Sequence, residues 1–286
     1  MNSSGATAGL GLVSAASWGG SDFLGGIGAR RAPVLLLVAS GHFASLFVLL
    51  AVCVGTGLAL PGRHDLLIAA LGGFEGAVAL AIFYRALAMG AMGLTAALTG
   101  LLTALVPVLF SLLHDGLPAP LTLCGLAMGL AAIWLITHSP AAKNAQEKQA
   151  ATPPAALLLG ALAGLGFGTQ LILFKFASGG SLLWIMTSAR GAGVSAMLLV
   201  LLVMPPKAPW RGFWLYGILA GALDTVGNLF YIQTTRMGRL DVAAVVCSLY
   251  PAGTILLAAL VLREWPSLRQ LAGMGLALAA VVLLSV

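Results

Sequence analysis

"HSPAAKNAQEKQAATPP", residues 138–154, is the one long polar stretch in an otherwise apolar chain. It sets Lys143, Glu147 and Lys148 among small residues and ends on two prolines, the composition of a solvated linker. To either side run mostly apolar segments of about 20 residues, the length a helix needs to cross a hydrocarbon core of about 30 Å. Five fit before the linker, at 5–27, 33–57, 65–88, 92–113 and 119–138. Five fit after it, at 155–176, 181–204, 212–235, 240–262 and 267–286. The expected fold is an all-α polytopic membrane protein of ten transmembrane helices, with units 1–138 and 155–286 joined by linker 139–154.

Composition points the same way. Of 286 residues, 60% are hydrophobic and only 8% charged, against about 25% charged in a typical soluble domain. Mean hydropathy is +1.05. The net charge of +6 comes from Lys and Arg that fall mostly between apolar runs, so it reads as a topology signal and not as a nucleic-acid surface. Cys53, Cys124 and Cys247 are widely spaced in apolar runs and read as packing residues. Residues 1–13 hold no Lys or Arg, so the first segment is expected to persist as a helix instead of being cleaved as a signal.

The two units match each other at a nearly constant offset. Trp18-Gly19 pairs with Phe167-Gly168, Phe83-Tyr84 with Phe230-Tyr231, and Met89-Gly90 with Met237-Gly238. Ser40 and His42 pair with Ser188 and Arg190. Five is odd, so the second unit enters the membrane from the opposite side, and the pair is expected to be two inverted five-helix repeats. Secondary transporters built this way hold their substrate near the bilayer midplane, between the repeats. With the termini outside, the cytoplasmic breaks collect Arg30, Arg31, Lys143, Lys148, Lys207, Arg211, Arg263 and Arg269. The opposite orientation collects Arg63, Arg236 and Arg239, so the expectation is periplasmic termini in a cell inner membrane.

Several of these residues also carry a family likeness. Trp18-Gly19, Phe167-Gly168, Tyr84-Arg85-Ala86-Leu87 before Gly90, and above all "CSLYPAGTILLAALVLREWPSLRQLAGMGL" (247–276) resemble the drug/metabolite transporter superfamily, and more closely its EamA-type ten-helix members. In the last stretch the likeness rests on Tyr250-Pro251, Glu264 and Gly273. The first unit departs from it, with Thr103 at the position of Pro251 and Asp115 near that of Glu264. The resemblance implies export or exchange of a small metabolite.

Polar side chains inside the spans are the candidate site, because an ionisable group in hydrocarbon normally faces a cavity or a partner. In the eighth span Asp224, Asn228, Tyr231 and Thr235 recur on one helical face, either a substrate-facing wall or an interhelical hydrogen-bond seam. In the first span Ser14, Trp18 and Asp22 recur at four-residue spacing. Trp18 either stacks on a solute or packs in the core, and Asp22 is a wall residue or a cap near the end of its span. Thr95, Thr99 and Thr103 repeat in the fourth span, where a Thr readily bonds its own helix. Pro251 permits a kink or an exposed carbonyl.

Tyr84, Glu75 and Gln170 complete the substrate-binding set, and Asp22, Glu75 and Asp224 are the candidates for a coupling proton. Arg85 and Lys175 are expected to snorkel outward, Arg190 to pair with a carboxylate, and His42 to be a satisfied structural histidine or a proton relay. No catalytic or metal-binding motif stands out, and no cofactor is expected.

These features lead to a secondary transporter that exports or exchanges a small amphipathic metabolite, such as an amino acid or purine. It works by alternating access, is coupled to protons and acts as a monomer or homodimer in the bilayer. The alternatives are a lipid-carrier flippase and an integral membrane enzyme.

Overall fold

The computed structural model describes residues 3–89, 92–137, 153–177, 179–206, 214–262 and 267–285. Among them lie eleven helices and no strand. They are α1 (Ser3–Ala29), α2 (Val34–Gly55), α3 (Arg63–Met89), α4 (Met92–His114), α5 (Pro120–Thr137), α6 (Pro154–Phe176), α7 (Leu182–Val203), α8 (Trp214–Met237), α9 (Leu240–Cys247), α10 (Tyr250–Leu262) and α11 (Leu268–Ser285). Residues 139–152 of the expected linker fall outside the described residues, as do Gly90, Lys143, Lys148, Lys207, Arg211, Arg263 and Glu264.

The sequence explains where the helices stop. Prolines stand at the first turn or cap of α2, α5 and α6, where a missing N–H leaves no helical bond unmade. Gly57, Gly116 and Gly180 take left-handed backbone conformations in the turns after α2, α4 and α6. The expected ninth span is broken in two. Pro251 cannot bond back to Cys247, and the chain tightens there through Leu249 N–H to Val246 and Ala252 N–H to Leu249.

Seven helical stretches among the described residues are long and apolar enough to cross a membrane: α2, α3, α6, α7, α8, most of α4, and the α9–α10 pair. Their outer faces present Phe43, Phe47, Leu67, Leu113, Leu202 and Leu260 to the surroundings. A soluble protein does not sustain so much exposed hydrocarbon.

The packing runs mainly between the two halves. α1 lies along α8, α3 along α6 and α7, α2 along α7 and α8, α4 along α6, and α5 along α11. Two of these contacts bring backbones together. A Cβ on Gly41 would sit 2.6 Å from the Gly217 carbonyl of α8, and one on Gly73 would collide with the Ala189 carbonyl of α7. Small residues allow such approach between membrane helices.

At the end of the bundle that holds the α1 N-terminus, cations tie the turns together. Arg239 donates to both Asp241 oxygens and to the Gly116 carbonyl, and Arg236 donates to the Gly180 carbonyl. Hydrogen bonding to Asp241 holds the Arg239 guanidinium above its usual range. Lys175 does not simply snorkel; its Nζ donates to the Thr235 carbonyl at 2.6 Å. Arg85, by contrast, is exposed.

Candidate functional site

Halfway along the helices is a small, partly open cavity, with about 360 Å³ of unfilled space when its open mouth is included. The first half contributes Trp18 and Asp22 from α1, Leu80 from α3 and Thr103 from α4. The second half contributes Phe167, Gln170 and Leu171 from α6, Asp224 and Asn228 from α8, and Tyr250 from the first turn of α10.

The α8 wall is a polar network around an ion pair. Arg190, 3% exposed on α7, donates from Nη2 to Oδ2 of Asp224 at 2.6 Å. It donates from Nη1 to Nε2 of His42 on α2 at 3.1 Å. A guanidinium has only donors, so His42 accepts on Nε2 and carries its proton on Nδ1, which faces the Val38 carbonyl at 3.1 Å. His42 is therefore a neutral positioning residue, the structural of its two expected roles. Asn228 donates from Nδ2 to the backbone carbonyl of Asp224 at 2.8 Å and to its Oδ1 at 3.1 Å. Both oxygens of the Asp224 carboxylate are thus engaged. The partner expected for Arg190 is Asp224.

The α1 wall is different. Asp22 is 6% exposed, and its Oδ2 has no hydrogen-bond partner among the described residues. α1 continues for two turns past it to Ala29, so Asp22 does not cap the helix end. One turn earlier, Trp18 stands among aromatics. Its ring centroid lies 5.9 Å from Tyr231 and 6.2 Å from Tyr250, edge-on to the latter. Gly227 leaves the space on α8 that the indole occupies.

Five of the expected site residues share this cavity: Trp18, Asp22, Gln170, Asp224 and Asn228. Five stand elsewhere. Glu75 is half-buried on α3 and does not line the cavity. Tyr84 bonds the Oγ of Ser21 at 3.1 Å and also donates to the Ser21 carbonyl. Tyr231 donates to the Leu171 carbonyl at 2.8 Å. Thr99 donates to the carbonyls of Thr95 and Gly160, each at 2.9 Å. Pro251 packs beside Gly100. The polar stripe of α8 thus divides into a cavity half, Asp224 and Asn228, and a seam half, in which Tyr231 bonds the α6 backbone and Thr235 bonds the Ile232 carbonyl of its own helix.

Leu80, Phe167, Leu171, Thr103 and Tyr250 join the wall without having been in the expected set. Of these, Phe167 and Tyr250 carried a signal as parts of the matched motifs, and Thr103 as part of the threonine repeat of the fourth span. Among the described residues no three His, Cys, Asp or Glu side chains converge as metal ligands would.

A family model described as the EamA-like transporter family matches residues 154–286. These residues form an EamA-like transporter domain. It begins at the first residue of α6 and takes in the Arg190 and Asp224 side of the cavity. The match likens this half of the chain to small-molecule transporters, and the apolar helices are those of a multi-pass membrane protein. No curated protein matches the sequence. A crystal structure described only as that of a protein aligns with a TM-score of 0.71, covering 97% of this chain and 95% of that one at 18% identity. At that identity the likeness is one of fold, and it extends over the half that the family model leaves unmatched.

Proposed function

We propose that the chain is a secondary active transporter that exports or exchanges a small amphipathic metabolite by alternating access. In this reading it crosses the membrane ten times as two inverted five-helix repeats, with α9 and α10 as one broken span. The observation that carries it is the mid-depth cavity, walled by α1, α3 and α4 on one side and by α6, α8 and α10 on the other.

The packing supports the repeat. Exchanging the halves turns the α1–α8 contact into α6–α3 and the α2–α8 contact into α7–α3, and both partners of each exchange are present. Single residues follow the same exchange: Tyr84 bonds the Ser21 carbonyl of α1, and its counterpart Tyr231 bonds the Leu171 carbonyl of α6. Helices related in this way can rock as one bundle against the other around a fixed site.

Coupling to protons requires a carboxylate free to gain and lose one. Asp224 is committed to Arg190, and Glu75 stands off the cavity, so Asp22 is the proton carrier in this reading. The remaining features are an inner-membrane location, periplasmic termini and a monomer or homodimer.

The test is uptake of a panel of isotope-labelled solutes into proteoliposomes, with and without an imposed pH gradient. The reading expects at least one amino acid, purine or comparable solute to accumulate only when the gradient is present. Failure of every solute to move under any gradient defeats it.

A further inference from the structure

Three buried polar atoms of the cavity lining lack a partner among the described residues: two can only accept, and the third, the Tyr250 hydroxyl, can donate or accept. Asp22 Oδ2 and Asn228 Oδ1 are both buried and both lack a partner among the described residues, and both are acceptors. The orientation of the Asn228 amide is fixed, because its nitrogen faces two oxygens of Asp224. The charge is also one-sided. Two carboxylates, Asp22 and Asp224, meet a single guanidinium, and Arg190 gives its Nη2 to Asp224 and its Nη1 to His42, with only Nε left unpaired.

The other basic side chains among the described residues are turned to different work. Lys175 serves the Thr235 carbonyl, Arg236 the Gly180 carbonyl and Arg239 the Asp241 carboxylate, while Arg30, Arg31, Arg63, Arg85 and Arg269 are exposed. The remaining wall joins three aromatics, Trp18, Phe167 and Tyr250, to Leu80, Leu171, Thr103 and Gln170. Aromatic faces attract a desolvated cation.

We infer that the cavity takes a small protonated amine with an apolar or aromatic body, its ammonium group donating to Asp22 and Asn228 and its body lying against Trp18, Phe167 and Tyr250. This rests on the transporter reading for what happens next, but the recognition itself is independent of transport. An anion would face Asp22 with no free cation to answer it. A neutral solute would leave the buried carboxylate uncompensated, the costly condition for such a charge. A quaternary ammonium would satisfy the charge but offer no N–H to either acceptor.

The test is equilibrium binding to the purified full-length protein in detergent, using tritiated 2-phenylethylamine. Competitors of matched shape are 3-phenylpropionate, 2-phenylethanol and the trimethylated amine. The inference expects the primary amine to bind, the carboxylate and the alcohol to compete at least tenfold more weakly, and the quaternary amine to fall between. Asp22→Asn should weaken amine binding about ten- to a hundredfold, the range for loss of a hydrogen bond to a charged group. Asp22→Glu should retain binding to within a few-fold.

Competition by the carboxylate as strong as by the amine overturns the inference. So does unchanged amine binding in Asp22→Asn, or no binding of the primary amine at all. If Asp22→Asn does not fold, Asp22→Glu and the competition series on the unaltered protein decide. Counterflow of the same labelled amine in proteoliposomes separates the two claims. Binding without counterflow removes the transporter reading and leaves the inference standing, whereas counterflow of anions alone does the reverse.

Discussion

The two walls of the cavity each bring a carboxylate to mid-depth and treat it in opposite ways. On α8, Asp224 is neutralised by Arg190 and its other oxygen is held by Asn228. On α1, Asp22 is more deeply buried yet has an oxygen with no partner. A buried ion pair contributes little net stability, but stripping one partner from it is costly because the other charge is left alone. Asp224 therefore reads as part of the scaffold, and Asp22 as a group held ready for something that is not part of the protein. The difference separates a charge that fixes three helices from a charge that is free to act.

Breaking the scaffold side should have the largest effect. Arg190→Leu leaves Asp224 unpaired and is expected to cost about 3–5 kcal/mol, read as a lowered melting temperature in detergent. Adding Asp224→Leu should recover most of that loss, since an apolar pair of similar volume often replaces a buried ion pair without penalty. Next comes Gly193→Ala, whose new methyl would collide with the His42 ring and push it off Arg190. The expected cost is about 1–3 kcal/mol, the range for overpacking a tight contact. Tyr231→Phe removes one hydrogen bond to the Leu171 carbonyl and should cost about 1 kcal/mol, leaving transport intact if the seam half of α8 is only a seam. Asp22→Asn should be the mildest for stability, with less than about 0.5 kcal/mol lost, because no protein partner is given up. A large loss of stability in Asp22→Asn would erase the contrast between the walls.

The sequence made the helical membrane class, the break at Pro251 and the polar faces of the first and eighth spans legible, because each depends on local pattern. What it could not supply is which way a single residue turns within the bundle. Asp224, Asn228, Tyr231 and Thr235 form one face of one helix, but neighbours change along that face, so Asp224 and Asn228 border the cavity while Tyr231 meets the α6 backbone. Glu75 looked equivalent to Asp22 as a lone acid in a span. Its neighbours Gly72 and Gly76 seat α3 against Phe174 and Gln170 of α6, and that contact turns Glu75 away from the cavity. The depth of Arg190 implied a carboxylate partner, but choosing Asp224 among three acids required the packing of α7 on α8. Leu80 and Leu171 line the cavity as apolar residues in apolar helices, where no local signal distinguishes them.

The central claim is that the free carboxylate of α1 does the work while the paired one of α8 holds the shape. Its most direct test is gradient-driven accumulation in proteoliposomes by Asp22→Asn, using the solute that the unaltered protein accumulates best. The expected result is an unchanged melting temperature with accumulation reduced at least tenfold. Accumulation at the unaltered rate, by a protein equally stable, would contradict it.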